Sequence, residues 1–473
     1  MTNLDNLLNV LKQGKNKILY KIDNQTITYK EAYKEVLTLS NSLSKQGNSP
    51  VILYGHKSID EFISILSCVV AKRTYIPVDK YTPKKRIEEI IKKTNSTLLI
   101  KNENIKIKSI ESLTIKELNE KYKYKKKKKI NTNNIAYTIF TSGSTGDSKG
   151  VPISYDNLNH FISWILKLKE FNNCNNLNVL SEASFSFDLS VMDIYFSIYK
   201  KNTIIALKNN NISNLKNIYK IIKNDNINFL IMTPTFIKIL LTDNNFNDNN
   251  YPNIKYMFFC GELLEVETVR KIKERFNKVK VINAYGPTEA TCFVSLIEIN
   301  SKMLKEEYIP VGKLNTSAVK IELDNNEIIL KGKSVFNGYL DLKSDNYYKE
   351  KKTNCYKTGD IGIIENNYLY CKGRIDNQIK YQGYRIELED IENNLLKLKN
   401  IKEAVAVAKY NNNIVKLIKA YVVLNKEMKE HEIKKELSKL IPNYMIPKKI
   451  IIIDKIPVNN NGKYDRKKLS SLW

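Results

Sequence analysis

The sequence predicts an α/β protein. A large N-terminal domain (residues 1–375) is expected to hold largely parallel α/β subdomains and a β-rich subdomain, with a small mobile α+β C-terminal domain (376–473) after it. Three observations predict this. Short apolar runs alternate with amphipathic stretches along most of the chain. After about residue 310 closely spaced strands and turns replace that alternation. Finally, 473 residues are too many for one ordinary core.

Val51-Ile-Leu-Tyr54 reads as a buried strand. Ser58 and Glu61 follow at the spacing of a helix capping box, and Ile59, Phe62, Ile65, Leu66, Val69 and Val70 share one helical face. Thr203–Ala206, Phe229–Ile231 and Tyr256–Phe259 are further strand candidates, each near a helix-like segment, as in a parallel sheet with crossover helices. Asn-rich pieces at 209–211 and 244–250 read as surface loops. In the β-rich part the strand candidates are Val319–Leu323, Glu327–Leu330 and Ile361–Tyr370. Gly373-Arg-Ile-Asp376 marks the boundary. Beyond it Glu387–Leu398 reads as a helix, and Val405–Ala408 and Ala420–Leu424 as strands.

Composition excludes several classes. Hydrophobic residues at 42% and charged residues at 27% are those of a soluble globular chain. No run approaches the roughly 20 apolar residues that span a bilayer. The first 17 residues alternate Leu with Asn and Lys where a signal peptide would be continuously apolar, so a cytoplasmic chain without stable membrane insertion is expected. Six cysteines form no Cys-x-x-Cys pair and there are only three histidines, which argues against a zinc site or a disulfide framework. The net charge of +27 raises nucleic-acid binding. The excess is lysine spread along the chain, and the run Lys125–Lys129 reads as a solvated linker, so no nucleic-acid partner is expected. A basic surface does favour an acidic protein partner.

The most informative stretch is Tyr137-Thr-Ile-Phe-Thr-Ser-Gly-Ser-Thr-Gly-Asp-Ser-Lys-Gly-Val151. A β-leaning run empties into a loop of hydroxyls (Thr141, Ser142, Ser144, Thr145), glycines and Lys149. Those groups supply the donors and the charge that hold a polyphosphate. It is not a Walker A loop, because Ser148 and Gly150 stand where that pattern has Gly and Ser or Thr. Taken alone, the loop reads equally well as a polar surface turn.

Other motifs follow in order. Asn283-Ala-Tyr-Gly-Pro-Thr-Glu-Ala290 places an aromatic and a carboxylate together after an apolar run. Tyr285 can stack on a base and Glu289 can hold Mg²⁺. Tyr356-Lys-Thr-Gly-Asp360 ends in a carboxylate suited to ribose hydroxyls; Gly383-Tyr-Arg-Ile-Glu387 and Asn461-Gly-Lys-Tyr-Asp-Arg466 are polar turns. With Tyr75-Ile-Pro-Val-Asp79, Phe185-Ser-Phe-Asp-Leu-Ser190, Thr233-Pro-Thr235, Gly338-Tyr339 and Gly373-Arg374, this ordered set resembles the adenylate-forming enzymes over nearly the whole chain. These are the acyl-CoA synthetases, luciferase and the adenylation domains of peptide synthetases. Phe185 to Asp193 and Phe259-Cys-Gly-Glu-Leu263 are most similar to the members that load D-alanine onto a carrier protein for teichoic acid modification.

The resemblance implies ATP and Mg²⁺ as cofactors and two half-reactions. Thr141, Ser142, Ser144, Thr145 and Lys149 would grip the phosphates. Asn283, Tyr285, Thr288, Asp360 and Arg374 would bind the nucleotide, and Glu289 would hold the metal. Lys463 would bridge the substrate carboxylate and the phosphate. Asp188 would meet the substrate ammonium, in a pocket shaped by Leu189, Met192, Cys260 and Cys292. Asp376 matches the hinge about which the C-terminal domain turns to admit phosphopantetheine. The acceptor is expected to be an acidic carrier protein supplied in trans, and the substrate a small amino acid, D-alanine first.

Departures bear on this. Ser148 replaces the usual Pro before the loop lysine, and Cys292 the more usual Val, which leaves the substrate's identity open. Two other readings remain: a free-standing adenylation protein for another small amino acid in natural-product biosynthesis, and a catalytically silent nucleotide-binding protein.

Overall fold

A computed structural model describes residues 2–125, 134–143, 146–208, 214–411, 414–458 and 464–472. The predicted loop at 209–211, most of the Lys125–Lys129 run, and Ser144, Thr145 and Lys463 lie outside the described residues.

Two parallel sheets form the body of the N-terminal region. One has six strands in the order Glu111–Leu113, Leu98–Lys101, Val51–Gly55, Tyr75–Asp79, Ile135–Thr141 and Lys149–Ser154; all neighbours are parallel except the last pair. The other has eight, with Lys280–Tyr285, Tyr256–Phe259, Phe229–Met232, Asn178–Ser181, Thr203–Ala206 and Ile18–Ile22 running parallel. Antiparallel strands Ser295–Glu298 and Gln25–Thr28 close its two edges. The central strands are buried along their whole length, which is why they read as unbroken apolar runs.

The helix Ile59–Val70 begins at Ser58, whose hydroxyl accepts the Glu61 N–H. The predicted capping box is only half made. Glu61 turns its carboxylate to the N–H of Lys57 instead of Ser58, at 2.8 Å, because the turn before the helix is itself buried.

The β-rich part is an antiparallel sheet in which Ile361–Tyr370 proves to be the hairpin between Thr353–Glu365 and Tyr368–Arg374. After it come a two-stranded hairpin (Gln378–Tyr381 with Tyr384–Glu387), the helix Leu388–Leu396, and a three-stranded sheet of Ile401–Asn411, Ile414–Leu424 and Lys449–Ile452. This segment has an apolar cluster of its own, from Ile379 to Ile450.

Polar contacts join it to the rest. Arg86 Nη2 donates to Asp390 Oδ2 at 3.0 Å, with Asp390 fully buried. Gly383 turns the hairpin at φ +81 against Thr233, and its N–H donates to Glu262 Oε1 at 2.6 Å.

Candidate active site

Two connected cavities open where the ends of both parallel sheets meet the β-rich sheet and the C-terminal hairpin; Gly261, Gly286, Asp360, Arg374 and Lys380 line both.

Tyr285, at the end of its strand, walls the first beside Leu263 and Tyr308. Its hydroxyl donates to Asp360 Oδ2 at 2.7 Å. Arg374 Nη1 holds the other Asp360 oxygen at 2.7 Å and grips both oxygens of Asp376 with Nε and Nη2, each at 2.7 Å. The fork clamps the boundary residue to the site carboxylate, a bidentate geometry that lysine could not supply. Burial pushes the Asp376 carboxyl up, but Arg374 outweighs it and holds it below its ordinary value.

The hydroxyl-rich loop forms the far side. Thr141 Oγ1 is buried, lines the second cavity and has no hydrogen-bond partner among the described residues. Such an orphan suits a ligand oxygen. Ser142 Oγ donates to the Arg385 carbonyl and accepts the Glu387 N–H, both at 3.0 Å. Lys149 Nζ meets Glu387 Oε1 at 2.9 Å. Glu289 is fully buried, accepting from the Tyr339 hydroxyl and from Arg385 Nη1, each at 2.6 Å. Burial raises its carboxyl, but the Arg385 and Lys149 charges prevail and hold it at about 2. Both of its oxygens are taken here, and with Arg385 withdrawn this single ionised carboxylate would suit Mg²⁺, which keeps waters and takes most of its ligands from phosphate.

Asp188 faces the second cavity and accepts from Thr288 Oγ1 at 2.6 Å. Burial pushes its carboxyl up to about 6 against the pull of that hydroxyl. Leu189 and Cys260 share the wall. Met192 and Cys292 are buried but stand behind it. Burial pushes the Cys260 thiol up to about 12 and raises Cys292 as well, so both remain neutral.

The sequence-derived set is thus largely brought together: Thr141, Ser142, Lys149, Asp188, Leu189, Cys260, Tyr285, Thr288, Glu289, Asp360, Arg374 and Asp376. Met192 and Cys292 stand behind the wall, and Asn283 is set apart as well. It lines neither cavity and spends its amide on the Pro310 carbonyl at 3.0 Å, bracing the strand behind Tyr285. Sequence reasoning missed Arg385 and Glu387 as site residues, although their motif had stood out as a polar turn. Two charges framing an aliphatic in a turn were the available signal.

A family model described as AMP-binding enzyme matches residues 9–340, and one for the AMP-binding enzyme C-terminal domain matches residues 390–463. The chain belongs to the AMP-binding enzymes.

This AMP-binding enzyme is 36% identical over 488 residues to a D-alanine--D-alanyl carrier protein ligase of Listeria monocytogenes, covering 96% of this chain and 95% of the relative. It is 33% identical to a protein of the same name from Staphylococcus haemolyticus, covering 99% of each. Among solved structures, a Vibrio cholerae adenylation domain in complex with glycyl-adenosine-5'-phosphate gives a TM-score of 0.86 at 21% identity, covering 100% of this chain and 98% of that one. A Bacillus subtilis o-succinylbenzoate CoA synthetase bound with a product analogue gives 0.84 at 18%, covering 99% and 98%. At those identities the likeness is one of fold. Among the described residues, no helix is long and apolar enough to cross a membrane.

Proposed function

We propose that this AMP-binding enzyme activates D-alanine with ATP as the aminoacyl-adenylate and transfers it to the phosphopantetheine thiol of a separate, acidic carrier protein. The observation that carries the reading is Asp188. A carboxylate in a partly desolvated pocket is costly without a cation, and the substrate ammonium supplies one. The relatives' names point to D-alanine.

In the first step a carboxylate oxygen attacks the α-phosphorus as the bond to pyrophosphate breaks. Two anions meet there, so positive charge at the developing transition state governs the rate. Lys149, once released from Glu387, would meet the outgoing phosphates, and Lys463, by its match to the family's C-terminal lysine, would meet the α-phosphate and carboxylate. Mg²⁺ held on Glu289 would offset charge on the leaving group. In the second step the thiol sulfur attacks the acyl carbonyl and AMP leaves. The C-terminal hairpin lies against the site here, with Tyr384 and Tyr444 lining the passage beside Asp188, which suits that second step.

Pyrophosphate–ATP exchange over matched D- and L-amino acids, with glycine, tests the reading. Exchange strongest with D-alanine is expected; silence with D-alanine, or preference for another acid, overturns the substrate. Lys463→Ala is expected to abolish exchange while sparing transfer from supplied aminoacyl-adenylate. Parallel loss of both refutes that lysine's role.

A further inference from the structure

The turn between strand Val51–Gly55 and helix Ile59–Val70 carries two buried polar side chains that neither half-reaction uses, His56 and Lys57. Lys57 donates through Nζ to the Ser181 carbonyl at 2.6 Å, and burial pulls its ammonium below the ordinary value against the surrounding carboxylates of Asp193, Glu182, Asp79 and Glu61. It ties the turn to the end of strand Asn178–Ser181, where the segment bearing Ser184, Ser186 and Asp188 begins.

His56 does something different. Its Nδ1 is 2.7 Å from Asp79 Oδ2, and its side chain is almost wholly buried. The same oxygen accepts from Ser184 Oγ at 2.6 Å, while Asp79 Oδ1 accepts the Tyr81 N–H at 3.1 Å. Ser186 Oγ is 3.1 Å from Ser184 Oγ. Asp79, Ser184 and Ser186 all line the cavity that contains Asp188. The facing wall is aromatic. Tyr384 stacks on Tyr444 at 3.7 Å, and Phe187 meets Tyr384 edge-on at 5.3 Å.

A passage with one hydrogen-bonding wall and one aromatic wall is more than amino-acid capture needs. It matches a flexible arm that carries amides along an aliphatic chain. Because Ser184 gives its proton to Asp79, its oxygen accepts in turn from the Ser186 N–H at 3.4 Å and from the Ser186 hydroxyl, whose own oxygen is then left as an acceptor, suited to an amide N–H. We propose that Asp79, Ser184 and Ser186 form a ledge that reads an amide of the incoming pantetheine arm, and that His56 is a positioning residue that fixes Asp79 and so the Ser184 hydroxyl. The ledge rests on the reading that a pantetheine thiol is the acceptor.

The test measures transfer from D-alanyl-adenylate, on the full chain, to pantetheine and to 2-mercaptoethanol, a neutral thiol with no amide. Pyrophosphate exchange is measured on the same preparations. The unaltered enzyme is expected to show a KM for pantetheine at least about tenfold below that for 2-mercaptoethanol, since a well-placed hydrogen bond in a shielded site is worth about a factor of ten. Ser184→Ala should shrink the ratio to about twofold, and His56→Ala should do the same. The double variant should be no worse than either, because both act through one hydroxyl. His56→Asn, whose Nδ2 can stand in for Nδ1, should restore the preference. An unchanged ratio in Ser184→Ala overturns the ledge, and an unrescued His56→Asn with normal exchange overturns the role of His56. If the unaltered chain shows no exchange with D-alanine, the activation reading falls and the ledge with it. Should His56→Ala fail to fold, Ser184→Ala and His56→Asn still decide.

Discussion

Asp188 and Glu289 are both buried carboxylates, yet their protons behave oppositely. Arg385 and Lys149 face Glu289 and hold it ionised, whereas Asp188 has a hydroxyl for its nearest partner and rises to about 6. Recognition of the substrate ammonium should therefore titrate within the working range. Above pH 6 the carboxylate is charged and meets the ammonium; below it the proton displaces that interaction. The KM for the amino acid is expected to climb about tenfold per pH unit as pH falls below 6. In Asp188→Asn it should be raised at all pH values and flat across the range. Exchange kinetics from pH 5 to 8 measure this, and a flat profile in the unaltered enzyme removes Asp188 as the anchor.

The hairpin Gln378–Glu387 and the helix after it belong to a second scale. Glu387 neutralises Lys149, Arg385 neutralises Glu289, and the hairpin backbone takes both hydrogen bonds of Ser142. On the proposed reading these are the atoms that a magnesium triphosphate would take, so hairpin docking and nucleotide loading would exclude each other. The buried Arg86–Asp390 pair belongs to the docked arrangement. Arg86→Ala would leave Asp390 uncompensated at a cost of about 3 kcal/mol or more. Thioester formation is expected to slow by about 100-fold, with pyrophosphate exchange changed less than about threefold. Equal loss in both half-reactions would show that the pair serves general stability. These contacts also mark what could be read from the sequence. Parallel strands such as Val51–Gly55 and Phe229–Met232 were legible because burial on both faces leaves them apolar, and Tyr285, Asp360 and Lys149 stood out as an aromatic, a carboxylate and a cation beside turns. Arg86–Asp390 and Lys149–Glu387 were not. Each spans more than 200 residues, and in a chain with 77 basic and 50 acidic residues no local pattern selects one pairing. The partner of Asn283 was hidden for a related reason: an amide beside a strand end serves a ligand or a neighbouring carbonyl equally well, and only the fold places Pro310 next to it.

For the whole molecule, two quantities matter: the proposed hinge and the charge. Asp376 is pinned by the Arg374 fork at the point where the chain leaves the β-rich sheet. Asp376→Pro stiffens the backbone there. Thioester formation is expected to fall at least about tenfold while exchange persists, a split measurable by assaying the half-reactions apart; parallel decline would deny the residue a hinge role. The net charge of +27 should draw in an acidic carrier by long-range attraction. Raising salt from about 0.05 to 0.5 M shortens the screening length to a few ångströms, so the KM for the carrier should rise several-fold while that for free pantetheine stays level. A matching rise for pantetheine would mean that surface charge plays no part in carrier capture.

The neutralised interior of the docked state bears on inhibition. An anionic polyphosphate mimic must first displace Glu387 from Lys149 and Arg385 from Glu289, so its affinity should be reduced by whatever undocking costs. A mimic of the adenylate with an uncharged linker in place of the phosphate meets no such rival and can settle beneath the hairpin. The two chemistries should arrest the enzyme in opposite postures. Small-angle scattering would tell them apart, and the uncharged compound should be the one whose residence lengthens when the hairpin closes over it.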